Sequence, residues 1–238
     1  MAYSGKQIRR SFRIGGCRLF GDCCDRGPDT KGVIDWLIEL RDQRVPDTTR
    51  FLAGNHDFGM ACFLQCPPLA SPPPTEWLDK TLNPSFHRDF YKPTVAGAMH
   101  YQGRRWAGST KYNADTTFKS YGLSFSPRYP KTHKSFLQEL EWAVDLPTSF
   151  PPGRVTAVHA GFNTTQPLTL QIAQLLARNF DAPALIADND ISRSIAFHGR
   201  QLARPMHPEL DGKAILVSGH HSMYYNLGDR YIIDASGG

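Results

Sequence analysis

No apolar run in this chain approaches the ~18 residues a membrane-spanning helix needs, which sets aside a membrane role at the outset. Cysteine is scarce and odd in number. The five, at positions 17, 23, 24, 62 and 66, form no zinc-type repeat and argue against a complete disulfide framework. A reducing compartment is expected, with free structural thiols, and Cys62-x-x-x-Cys66 lacks the thioredoxin-like context of a redox pair. Charge is not gathered in a block either. The Lys and Arg that give a net +5 are scattered, so a mildly basic solvated surface is expected rather than specific nucleic-acid binding. No internal repeat and no coiled-coil heptad is visible. Acidic residues are missing before Asp22 while Lys6, Arg9, Arg10 and Arg13 are present, a pattern with a transit-peptide flavour. The domain begins at once, however, and the expected location is cytoplasmic or nuclear, without signal peptide or transmembrane segment.

What is present is the make-up of a globular α/β chain. With 238 residues and 40% hydrophobic content, it is long enough for one domain with a substantial core. Its most informative stretch is Gly21-Asp22-Cys23-Cys24-Asp25-Arg26-Gly27, followed by Gly54-Asn55-His56-Asp57. Each follows a short apolar run, Leu19-Phe20 and Phe51-Leu52, and between them Val33, Ile34, Leu37, Ile38 and Leu40 recur at helical spacing. The pattern predicts strand, helix, strand. A right-handed parallel crossover would then carry Asp22 and Asn55 off neighbouring strand ends on one sheet edge, where they can share a cation.

Further along, Phe58 to Phe63 predicts a helix, and a proline-rich surface loop is expected over Pro67 to Asn83. A helix is expected from Thr132 with Phe136, Leu137, Leu140 and Val144 on one face, then a buried strand over Arg154 to Val158 ending on His159. Leu168 to Phe180 predicts another helix. Ala214 to Val217 predicts a strand leading into Gly219-His220, paired with Asp229 to Asp234 across a turn at Asn226-Leu227-Gly228.

Taken in order, GDxxDRG, GNHD, Val158-His159-Ala160-Gly161 and Ser218-Gly219-His220-His221 resemble the blocks of calcineurin-like metallophosphoesterases of the phosphoprotein phosphatase superfamily. Two middle segments, Tyr101 to Gly108 and Thr117 to Gly122, are similar to the Rhizobiales-like phosphatases of plants and other eukaryotes. The resemblance covers Leu19 to Gly238 and implies an α/β layered sheet sandwich flanked by helices. One departure stands out: the family's opening GDxHG block has no counterpart, because Asp-x-His occurs nowhere in the chain. The expectation is a truncated copy with its first strand missing, in which 1–16 is an atypical basic segment and 17–238 a metallophosphoesterase domain incomplete at both ends.

The resemblance also implies a chemistry. Two metal ions, Mn, Fe or Zn, would serve metal-activated hydroxide attack on a phosphate. Asp22 would bridge them and Asn55, His159 and His220 would complete the second ion's ligands, while the first ion's own Asp and His are absent here. His56, oriented by Asp25, would protonate the leaving oxygen, and Arg26 would fork onto phosphate oxygens. A salt bridge from Arg26 to Asp29 is its structural alternative. Arg200 and Arg104 or Arg105 are weaker phosphate candidates, for which ordinary salt bridges are equally expected. Of the adjacent pair, the block match favours His220 over His221; His87, His100, His133, His198 and His207 show no ligand spacing, and Cys23 and Cys24 are not counted as ligands. The implied function is a phosphomonoester hydrolase acting on phosphorylated protein or peptide, with tyrosine or dual-phosphorylation preference. The alternatives are a diadenosine-polyphosphate or RNA-cap type nucleotide hydrolase, or a catalytically impaired fragment.

Overall fold

The structure is a computed structural model and describes residues 21–43, 49–64, 66, 95–96, 99–100, 115–122, 129–178 and 205–234. Helix α1, Thr30–Asp42, starts where the Asp29 carboxylate accepts the Gly32 N–H at 2.8 Å, a side-chain N-cap. Ile34, Leu37 and Leu40 form its buried stripe, whereas Val33, which fits the same periodicity, faces outward. Helix α2, Asn55–Phe63, begins three residues earlier than the apolar pattern predicts, within the GNHD block itself. Its Phe58 packs edge-on against the fully buried Trp142 with ring centroids 5.7 Å apart.

A two-stranded antiparallel pair, β1 at Val95–Ala96 and β2 at Met99–His100, precedes helix α3, Asp115–Ser120, and helix α4, Lys131–Glu139. Phe136 and Leu137 of α4 are buried as expected, but the helix ends at Glu139 and Leu140 turns to extended backbone (ψ 137°). Val144, assigned by periodicity to this helix, lies instead in strand β3, Ala143–Pro147. Strand β4, Arg154–Val158, forms as predicted, and helix α5, Leu168–Leu176, falls inside its expected span.

The last three strands are β5, Ile215–Ser218, β6, Tyr224–Leu227, and β7, Arg230–Ile233. With β3 and β4 they make one five-stranded mixed sheet in the order β3-β4-β5-β7-β6. Strand β7 pairs with β5 as expected, but in parallel, and it is β6 that joins β7 as a hairpin. The turn therefore sits at Gly228-Asp229, and Asn226 and Leu227, predicted to be in it, are strand residues. Gly228 has φ +58°, the left-handed backbone that such a tight connection needs. Phe51-Leu52 is not a full strand: Leu52 makes a single parallel bridge to Glu141, reinforced by Ala53 N–H to Glu141 O at 2.7 Å. Leu19-Phe20, the Pro67 to Asn83 loop and the segment 101–108 lie outside the described residues.

This is a mixed α/β architecture with helices flanking the sheet. Its larger core joins α1, α2, α4 and α5 through Ile34, Phe58, Phe136, Leu137, Trp142 and Leu175. A smaller cluster of Leu52, Val144, Val155, Ala157 and Val217 lines the sheet. No described helix is long and apolar enough to cross a membrane.

Candidate metal centre and its carboxylate–imidazole neighbour

Parallel pairing of β4 with β5 sends both strands out of the same edge, and the residues just past those ends are His159 and His220. The loop holding Asp22 and the start of α2, holding Asn55, meet them there. His159 Nε2 lies 3.3 Å from Asp22 Oδ2, 3.3 Å from Asn55 Oδ1 and 3.1 Å from His220 Nδ1. Asp22, His159 and His220 thus place ligand atoms within 4.8 Å of one another, a group that could hold a metal ion, and it is the group found among the described residues. Asn55 adds a fourth donor, an amide oxygen.

Close approach explains the leading glycine of each block. A Cβ on Gly54 would overlap the Asp22 carboxylate and backbone nitrogen, and one on Gly21 would lie 2.9 Å from His159 Nδ1. The loop itself is unusual: Asp22, Asp25 and Arg26 have φ of 56°, 67° and 55°, and His220 has φ 68°. Left-handed backbone in four non-glycine residues around one spot is the kind of local strain that functional sites collect.

Electrostatics suit a cation. Burial works against ionisation of Asp22, but the imidazoles of His159, His56 and His220 outweigh it and hold this carboxyl well below the usual range. Burial, followed by the neighbouring His159, pushes His220 down to about 3, so its ring is neutral and can donate a lone pair. Burial and the adjacent carboxylates push the Cys23 and Cys24 thiols well up. His221 faces away from this group, with Nε2 2.9 Å from the Ala160 carbonyl, so the choice of His220 agrees with the geometry.

Beside the donors stands a buried pair. His56 Nδ1 is 2.7 Å from Asp25 Oδ2, with the two side chains 3% and 0% exposed. Burial opposes charge on His56, but the Asp25 hydrogen bond and the charges of Asp22 and Asp25 prevail and raise its pKa, with the Arg26 charge acting against them. Arg26 is exposed, and no ion pair joins it to Asp29, whose carboxylate is engaged as the α1 cap. Asp22 connects donors and pair, because its Oδ1 accepts the His56 backbone N–H at 3.2 Å while Oδ2 faces His159.

Sequence reasoning missed Asp57 and Thr117. Asp57 is fully buried and accepts backbone N–H groups from Asp22 at 2.7 Å, Cys24 at 3.0 Å and Gly54 at 2.9 Å. It occupies the third position of a helix capped by Gly54, the slot from which an acidic side chain reaches back to the cap, and that signal was available. Thr117 contacts Asp25 from a distant segment, which no local pattern announces. Of the remaining histidines, His133 bridges Tyr121 and Asp35, and His207 meets the Gln166 carbonyl, both as structural groups. His87, His198, Arg104, Arg105 and Arg200 lie outside the described residues. A scan against family models and a search of curated proteins each returned no match.

Proposed function

We propose that this chain is a metal-dependent phosphomonoester hydrolase of calcineurin-like type, acting on phosphorylated protein or peptide with tyrosine or dual-phosphorylation preference. The observation that carries this reading is the position of Asn55 and His56, consecutive at the start of α2, with one beside the metal-ligand group and the other in a buried pair with Asp25. A donor set for a cation and a proton carrier are thereby fixed side by side, with Asp22 touching both.

Asp22, Asn55, His159 and His220 would hold Mn, Fe or Zn, since carboxylate, amide oxygen and neutral imidazole match those ions. A bound ion supplies positive charge that offsets the phosphoryl oxygens and eases ionisation of water at neutral pH. His56 Nε2–H gives its proton to the leaving oxygen as the P–O bond breaks, and Asp25 steers the ring through its contact with Nδ1. Arg26, at the exposed rim, contributes a guanidinium fork for phosphate oxygens. The five-stranded mixed sheet with flanking helices would supply one sheet layer of such a fold.

The absence of Asp-x-His favours a second reading, a phosphoester-binding chain whose turnover is impaired by loss of the first ion's ligands. One experiment separates the two: metal stoichiometry together with phosphate release from a phosphotyrosine peptide, p-nitrophenyl phosphate and diadenosine tetraphosphate. The hydrolase reading expects release from the first two, stopped by chelation. Binding of metal and phosphopeptide without release supports the impaired form, and cleavage confined to diadenosine tetraphosphate overturns the protein-phosphatase assignment.

A further inference from the structure

Thr117, on α3, is fully buried and ninety-two residues from Asp25 in sequence, yet touches it twice. Its hydroxyl donates to Asp25 Oδ1 at 3.0 Å and accepts the Asp25 backbone N–H at 2.7 Å. A hydroxyl has one proton and two lone pairs. Since the proton goes to Asp25, the 2.9 Å contact with Thr30 Oγ1 must be donated by Thr30, which takes the remaining lone pair. Every hydrogen-bonding capacity of Thr117 is therefore committed.

The support behind Thr117 is also built in. Ser120 Oγ donates to the Thr117 carbonyl at 2.7 Å and accepts the Lys31 N–H at 3.1 Å, tying α3 to the first turn of α1. Asp25 has φ 67°, so its loop does not hold this carboxylate by ordinary backbone preference. Two contacts from one hydroxyl fix both its backbone and its Oδ1, which leaves Oδ2 directed at His56 Nδ1. We propose, resting on the phosphoester-hydrolase reading, that Thr117 is the positioning residue of the proton-donating pair: it orients Asp25, which orients His56.

The test uses the full, metal-loaded chain and the variants T117V, which keeps volume without the hydroxyl, and T117S, which restores the hydroxyl. The His56 Nδ1 proton, shielded with Asp25 from solvent, should give a low-field proton NMR resonance in wild type and T117S and lose it in T117V. Hydrolysis supplies the second readout. With phenyl phosphate, whose leaving group needs protonation, T117V should lose about ten- to a hundredfold in kcat, a part of the ~10²–10⁴ that an acid–base group contributes. With 2,4-dinitrophenyl phosphate, whose leaving group does not, the loss should stay under about threefold. A T117V protein that keeps the resonance, or loses equally on both esters, overturns the proposal. If wild type cleaves neither ester, the hydrolase reading falls and the resonance alone decides the role of Thr117. Should T117V fail to fold, T117A, which also removes the hydroxyl, takes its place with the same two expectations.

Discussion

The Asp57 carboxylate and the Asp22 backbone meet head-on: Asp57 Oδ2 accepts the Asp22 N–H at 2.7 Å, and the same oxygen takes the Gly54 N–H at 2.9 Å. One side chain thus pins both loops of the candidate centre together. Burial, with the charge of Asp22 adding to it, pushes this carboxyl up, and the N–H donors of Gly54 and Cys24 offset part of that.

Replacing Asp57 by Ala should leave two buried N–H groups and one part-buried one without their acceptor. Each such orphan costs about 1–3 kcal/mol, so a loss of at least ~3 kcal/mol is expected in urea unfolding, together with weaker metal binding. D57N should fall between wild type and D57A, because an amide keeps one oxygen but turns a donor toward another donor. A D57A protein within about 0.5 kcal/mol of wild type would show that the loops are held by other means.

His56→Ala should separate proton transfer from metal binding. Turnover on phenyl phosphate is expected to drop ~10²–10⁴-fold while the metal retained after dialysis stays unchanged. Metal loss with unchanged turnover per ion would place His56 among the ligands instead.

Adjacent histidines should respond differently. His220→Ala removes a ring whose Nδ1 lies 3.1 Å from His159 Nε2, and metal retention should fall sharply. His221→Ala removes a hydrogen bond to the Ala160 carbonyl and should cost about 1 kcal/mol of stability with metal stoichiometry kept. Elemental analysis after dialysis and thermal melts check both, and the reverse pattern would exchange their roles.

A pH effect is expected away from the centre. Burial would raise the Asp145 pKa, but paired bonds from Arg154, both 2.7 Å, and one from Thr156 at 2.9 Å lower it below the ordinary ~3.9. A depressed acid stabilises the fold fully above its unfolded value and loses that contribution as pH falls through the folded value. Arg154 is 40% exposed, which screens the pair, so D145N should cost only about 1 kcal/mol at pH 7 and less at pH 2. Equal costs at both pH values would rule out the charge.

Much of the donor cluster was legible because each of its residues follows a recognisable boundary. Asp22 and Asn55 sit beside glycines whose Cβ positions are filled by neighbouring groups, and His159 and His220 lie just past short apolar strands. Val144 was misplaced because Phe136, Leu137, Leu140 and Val144 satisfy a helical period although the backbone turns extended at Leu140, and a short apolar run does not distinguish the two. Strand β6 was missed for a different reason: it is the sheet's edge strand, Tyr224, Asn226 and Leu227 are exposed, and no alternation of burial marks it. Thr117 acts through contacts across 92 residues, beyond any local pattern, whereas Asp57 shows a local capping position but not its reach to Asp22, 35 residues away.

The donors at positions 22, 55, 159 and 220 have a thermodynamic consequence that concerns the whole chain. His159 is 104 residues from Asn55 and 61 from His220, so the set exists only when distant segments have already come together. An ion gripped there would recognise the folded chain and ignore the unfolded one, acting as a reversible cross-link. By mass action it would add about 2.7 kcal/mol of stability at a free concentration one hundred times Kd. The melting temperature would then rise with the logarithm of free cation, and a chelator would unfasten the α2 end of the molecule from the sheet.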